Sequence, residues 1–107
     1  MQTVIITGNC GGDPQVKEFQ NGGKIASFSV GVTERGFTTK EGKEIPEHTE
    51  WFRCETRTSA GYAQSYLHKG DLVEVRGKIR TEEYEVNGEK KSSIKLMVED
   101  MKIYNKK

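Results

Sequence analysis

The chain has 107 residues, 33% of them hydrophobic and 31% charged, with a formal net charge of +1. A domain of this size buries roughly two-thirds of its unfolded surface, enough for one core, and the clustered apolar runs exclude a disordered composition. The balance of 17 basic and 16 acidic residues excludes a strong nonspecific polycation, so any anion-binding face must arise from folding that gathers Arg and Lys on one side.

Strand signals dominate from the start. Residues 2–7 predict a first β segment, ended by Gly8-Asn9 and the turn-rich Cys10-Gly11-Gly12-Asp13-Pro14. A short strand over Gln15 to Phe19 follows, and Asn21-Gly22-Gly23 turns the chain. Ile25 to Thr33 alternates, which directs Phe28, Val30 and Val32 inward and Ser27, Ser29, Gly31 and Thr33 outward. Glu34 to His48 is polar and holds Gly36, Gly42 and Pro46; its length predicts an extended hairpin arm or a functional loop. Thr49 to Arg57 reads as a strand, with Phe52, Cys54 and Thr56 on one face and Trp51, Arg53, Glu55 and Arg57 on the other.

Thr58 to Gly70 is the helix candidate. Thr58 or Ser59 can cap its start, Ala63, Tyr66 and Leu67 make an apolar stripe, and His68-Lys69-Gly70 closes it. Val73, Val75 and Ile79 then alternate with Glu74, Arg76, Lys78 and Arg80, and a turn at Asn87-Gly88 leads to a last strand with Ile94, Leu96 and Val98 inward. The order predicts an all-β fold: a five-stranded OB-fold barrel with one helix between the third and fourth long strands and extended hairpin loops. It would form a single domain over residues 1–107.

Enzyme chemistry finds little support. Cys10 and Cys54 lack a CxxC partner and His48 and His68 form no HxxxH pair, so no metal site is expected. Cys54 falls on the apolar parity of its strand, which predicts a buried reduced thiol. Gly8-Asn9-Cys10-Gly11-Gly12 is neither a Walker loop nor a dinucleotide fingerprint, so no cofactor is expected. Glu47 and Glu50 flank His48 without a nucleophile, as in a solvated charged loop. The short run Val4-Ile5-Ile6, with no basic region before it, predicts neither a secretory signal nor a membrane span, and hence a cytoplasmic, nucleoid-associated protein.

Aromatic and basic residues interleave elsewhere. Trp51, the sole tryptophan, shares a face with Arg53 and Arg57; Tyr84 shares parity with Lys78 and Arg80; Phe37 lies beside Arg35 in the polar stretch. Flat rings beside cations suit stacking on unpaired bases with neutralisation of phosphates, and such stacking tolerates any base sequence. The loop lysines Lys40, Lys43, Lys90 and Lys91 extend the candidate phosphate contacts. A Trp packed under a loop is the competing reading of Trp51.

The motifs Val4-Ile5-Ile6-Thr7-Gly8-Asn9, Gly12-Asp13-Pro14, Asn21-Gly22-Gly23, Thr49-Glu50-Trp51-Phe52-Arg53, Tyr66-Leu67-His68-Lys69-Gly70 and Gly77-Lys78-Ile79-Arg80-Thr81 occur in an order that resembles the bacterial single-stranded DNA-binding proteins over nearly the whole length. The resemblance implies single-stranded DNA as partner, held on an OB-fold without sequence preference and without catalysis during replication, recombination or repair. It implies stacking at Trp51, at Phe37 and at Tyr84. A fourth platform, commonly a Phe in that family, aligns with Arg57, whose guanidinium plane can still stack and contact phosphate. The resemblance also implies a homotetramer, or else a homodimer, formed through the strand at 2–7. The family typically continues into a flexible linker and an acidic tip that recruits protein partners. This sequence ends Ile103-Tyr104-Asn105-Lys106-Lys107, so partners recruited by such a tip are not expected. Three other functions compete: an OB-fold protein–protein adaptor of a primosome or mobile-element replication complex, an RNA-preferring module, and a small hydrolase for which no nucleophile or metal set is found.

Overall fold

Alternation in one long strand builds the first wall of the core. In Lys24–Glu34 (β3), Ala26, Phe28 and Val30 are buried and Val32 packs partly buried against them, because successive side chains point to opposite faces. The computed structural model describes residues 1–104; the basic ending Asn105-Lys106-Lys107 lies outside the described residues.

Around β3 stand Val4–Cys10 (β1), Gln15–Glu18 (β2), His48–Thr56 (β6), Leu72–Val86 (β7) and Glu89–Ile103 (β8). The sheet order is β1-β7-β8-β6-β3-β2, and β1 also pairs with β3 at Asn9↔Gly31 and Cys10↔Val30. That extra pairing closes β1, β7, β8, β6 and β3 into a five-stranded barrel, with β2 flanking β3. A parallel contact between β6 and β8, Cys54↔Leu96 to Thr56↔Val98, completes the ring. The helix Ala60–Tyr66 (α1) lies between β6 and β7, as the sequence predicts. The polar stretch 34–48 is indeed a hairpin arm: Phe37–Thr38 (β4) pairs with Glu44–Ile45 (β5), prolonging the β3–β6 ladder beyond Glu34↔His48.

The helix is shorter than expected. Seven residues are too few to be stable alone, since isolated helices below about 12–15 residues are marginal, so α1 is held by docking. Ala60 and Ala63 are its buried residues, and Leu67 just past its end is buried as well; Tyr66, expected in that stripe, is exposed and tilts against Tyr62 at 5.4 Å between ring centroids. Leu67 is already extended, and Gly70 at φ 89° serves a separate turn in which Asp71 N–H donates to the His68 carbonyl. Ser59 makes no side-chain capping bond, while the Thr58 hydroxyl donates to the Glu99 carbonyl across to β8.

Three further expectations shift. The first strand runs Val4–Cys10, three residues later than predicted at its C-terminal end, because pairing to β7 continues through Gly8 and Asn9. Ile79 and Ile94 are exposed, not inward. Ile94 lies on β8 before the stretch that pairs with β6, and Ile79 on β7 lies past the stretch that pairs with β1, so the face that continues the core opens to solvent. Along β8 the inward parity also switches, from Leu96 and Val98 to Met101 and Ile103. A β-bulge causes it: Arg76 faces Asp100 and Gly77 faces Val98, leaving Glu99 as the extra residue.

Candidate nucleic-acid interface

β6 supplies the centre of the outward face. Its inward residues Cys54 and Thr56 are buried, which leaves Trp51, Arg53 and Glu55 pointing away from the core. Burial pushes the Cys54 thiol up to about 12, with the nearby Cys10 thiol a smaller contribution, so this sulfur is an inert part of the core as expected. Trp51 stands opposite Gly31 and Arg53 opposite Ser29 on β3. The indole is seated on bare backbone: a Cβ at Gly31 would fall 2.8 Å from its Cζ3 and 2.9 Å from its Cη2, and one at Gly11 2.7 Å from Cζ3. Two missing β-carbons therefore create the ring's seat. Gly31 has outward parity yet is buried beneath the ring, while Trp51 remains 58% exposed. The competing reading, a Trp packed under a loop, does not describe this residue.

The β7–β8 hairpin continues the same face. Asn87 at φ 51° and Gly88 at φ 80° form the two-residue turn, and that turn fixes the register of both strands. Opposed residues share a face, so Lys78, Arg80, Glu82 and Tyr84 line up with Met97, Lys95, Ser93 and Lys91. β7 runs unbroken from Leu72 to Val86, which places Tyr84, 47% exposed, on the side of Arg80 and Lys78. Met97 stands beside Glu55, joining this hairpin face to that of β6. Lys91 belongs to it. Lys90, opposite Glu85, points the other way with Ile79 and Ile94.

At the junction sits a charge cluster that the sequence reading missed. Lys95 Nζ lies 3.1 Å from Glu55 Oε2 and contacts Glu82 Oε1, with the lysine side chain 15% exposed. The hydrogen bond from Lys95 holds the Glu82 carboxyl below its usual range, helped by the charges of Lys95, Arg53 and Arg80. The same hydrogen bond to Glu82, reinforced by Glu55 and opposed by burial, raises Lys95 above the ordinary lysine value. The turn at Asn87-Gly88 was the signal that could have found it, because a two-residue turn there sets Lys95 opposite Arg80.

Two shallow depressions mark the face. One is lined by Gln15, Ser27, Ser29, Arg53, Glu55 and Lys95 among others. The second brings Arg57, Thr58, Lys78, Arg80, Met97 and Glu99 together, so the structure gathers three of the expected phosphate ligands in one groove. Lys78 Nζ is also 3.8 Å from Glu99 Oε2. Arg57 lies one residue past the end of β6, with its guanidinium 5.7 Å from the centroid of Phe19. Phe37, 61% exposed, stands on the hairpin arm among Gly36, Thr38, Glu44, Ile45 and Pro46, with Lys40 and Lys43 at the arm's tip; none of these lines either depression. His48 is 3.7 Å from Glu50, both exposed. Among the described residues no group of three or more His, Cys, Asp or Glu is placed to hold a metal ion, and no helix is long and apolar enough to cross a membrane.

Comparison with known proteins gives a family and a fold. The sequence model of the Single-strand binding protein family matches residues 1–104. A "Single-stranded DNA-binding protein" of Bacteroides thetaiotaomicron is 38% identical over 106 residues, covering 97% of this chain; the chain spans 66% of that relative's length. Among solved structures, a "Plasmodium falciparum SSB complex with ssDNA" superposes with a TM-score of 0.87 at 22% identity, covering 98% of this chain and 96% of that one, and so shares the fold.

Proposed function

The chain belongs to the single-strand binding protein family, and on that footing we propose that it binds single-stranded DNA, as one OB-fold domain, without sequence preference and without catalysis. The observation that carries the reading is Trp51: a large ring held outward on glycine backbone, on the same face as Arg53, Arg80 and Tyr84. Bases stack on Trp51 and Tyr84, while phosphates follow Arg53, Arg57, Lys78 and Arg80. Phe37, Lys40, Lys43 and Lys91 extend the path, and Lys90 lies off it. In the cell this protects unwound DNA in the cytoplasm during replication, recombination or repair. Because Trp51 is the sole tryptophan, its emission reports binding directly. Titration with oligo(dT) is expected to quench it, with an affinity that falls modestly as salt rises. Unchanged emission together with no complex at low salt would sink the reading.

Two variants probe the face itself. Gly31→Ala puts a methyl group where the indole lies, so the ring must lift. Its DNA-free emission should change, and oligo(dT) affinity should drop several-fold, within the 1–3 kcal/mol typical of a stacked base. An unaltered spectrum with wild-type affinity would count against the seat. Glu82→Gln removes one of the two carboxylates that Lys95 contacts. A lysine released to one more phosphate should tighten binding by about fivefold at 0.1 M salt, given a slope of about −0.7 per contact on single strands. Weaker or unchanged binding would show that Lys95 stays out of reach of the strand.

Self-association follows from β1. Val4 to Asn9 pairs with β7, but on the other side only Asn9 and Cys10 pair, with β3, so the edge of Val4 to Gly8 carries no strand among the described residues. Ile5 is exposed there. An apolar open edge favours pairing with a second copy, giving a homodimer or, through a further contact, a homotetramer. Light scattering that returned a monomer at micromolar concentration would contradict this.

A further inference from the structure

The outward face does not stop at β6. It continues across β3 to β2, where opposed residues again share a side: Lys17 stands opposite Ile25 and Gln15 opposite Ser27, on the parity of Ser29 and Gly31. Phe19 follows Lys17 by two residues, just past the end of β2. The ring remains 36% exposed, although an apolar ring of this size gains most from full burial. Two cations converge on it, the Arg57 guanidinium at 5.7 Å and Lys17 Nζ at 5.8 Å from its centroid. Arg57 also opens onto the groove that holds Lys78 and Arg80. The nearest acidic group along β2, Glu18, is engaged by Lys24 at 3.6 Å, so it does not neutralise this pair of cations.

The geometry points to Phe19 and Lys17 as further members of the strand-binding surface: beside Arg57, where the family resemblance already implies a platform, Phe19 backs an unpaired nucleobase and Lys17 takes its flanking phosphate. This rests on the reading of the face as a single-strand surface. The Arg57 guanidinium, planar by its own delocalisation and 5.7 Å from the Phe19 centroid, offers a base a flat surface that a lysine could not. Six residue steps lead from Trp51 to Arg57, just past the end of β6, about 20 Å at roughly 3.3 Å per residue. A stacked strand advances about 3.4 Å per nucleotide, so the two platforms lie about six nucleotides apart, or fewer if the strand is extended. One strand segment can therefore engage both.

The test moves the reporter. In a Trp51→Phe background, Phe19→Trp places the only indole at position 19, and saturation with oligo(dT) longer than about eight nucleotides should quench its emission. In the otherwise native chain, Phe19→Ala should weaken binding of those oligomers by about tenfold while leaving those under about four nucleotides nearly unaffected, since Trp51 and Arg53 hold the short ones. Arg57→Lys should reproduce the long-oligomer loss with the salt slope kept, whereas Lys17→Ala should flatten the slope. Phe19 is outside the core, so thermal unfolding of Phe19→Ala should stay near that of the native chain. An indole at 19 that is not quenched, while the native Trp51 is, overturns the platform and leaves the face reading standing. Failure of both to quench overturns both.

Discussion

Trp51→Ala should lower affinity for oligo(dT) by about five- to 150-fold, the largest loss of any single substitution on the face, because stacking on one ring is worth about 1–3 kcal/mol per base. The thermal midpoint should barely move, since the residue is 58% exposed and lies outside the core cluster. The split between binding and folding is the informative part. Tyr84→Ala should weaken binding less, the ring being smaller and carried on a hairpin beyond the barrel, and the double variant should lose about the sum of the two if the rings hold different bases. Titration by a method that needs no intrinsic fluorescence, such as anisotropy of a labelled oligomer, measures both. Affinity within twofold of the native chain for Trp51→Ala would mean that the strand runs elsewhere.

Gly8→Ala should strongly destabilise the fold. A Cβ there would sit 2.2 Å from the Gly31 carbonyl oxygen and 3.0 Å from Val30 Cγ1. The first neighbour is backbone, which cannot swing aside as a side chain can. The position adjoins the pairing of Asn9 with Gly31 that closes the barrel, so relief means parting β1 from β3. Overpacking typically costs about 1–3 kcal/mol, and a backbone clash belongs at or above the upper end. At about 4–8 °C per kcal/mol for a domain near this size, the thermal midpoint should fall by more than about 10 °C. Gly12→Ala is the control, since nothing lies within 4 Å of its would-be methyl group. Matching unfolding curves for the two variants would refute the argument.

What could be read from the sequence followed from periods and turns. Two-residue alternation directed Trp51 and Arg53 outward, and the Asn87-Gly88 turn announced the hairpin on which Tyr84 stands beside Arg80. What could not be read depends on long-range pairing. No local pattern says that β6 meets β8 in parallel, and that contact is what brings Glu55 to Lys95. The inward placement of Ile79 and Ile94 failed because parity cannot tell where a barrel ends and a free ribbon begins. Met101 and Ile103 escaped because one extra residue at Glu99 reverses the parity for the rest of the strand. Phe19 read as the last residue of a short strand; its two cations come from different strands, and only the folded sheet brings Arg57 beside it. Tyr66 has the helical spacing and is the last residue of α1, yet it points away from the barrel and lies against Tyr62 instead.

The glycine seat beneath the indole has a consequence for which nucleic acid can enter. A ring closed off from below is a shelf with one usable side, not a wedge that slips between stacked neighbours. A base locked in a double helix shows its flat sides only to the pairs above and below it, and turns nothing but its rim toward a shelf. On the proposed reading, discrimination against duplex is a matter of access: melted strands can lie down on this surface, and paired ones have no plane left to offer it.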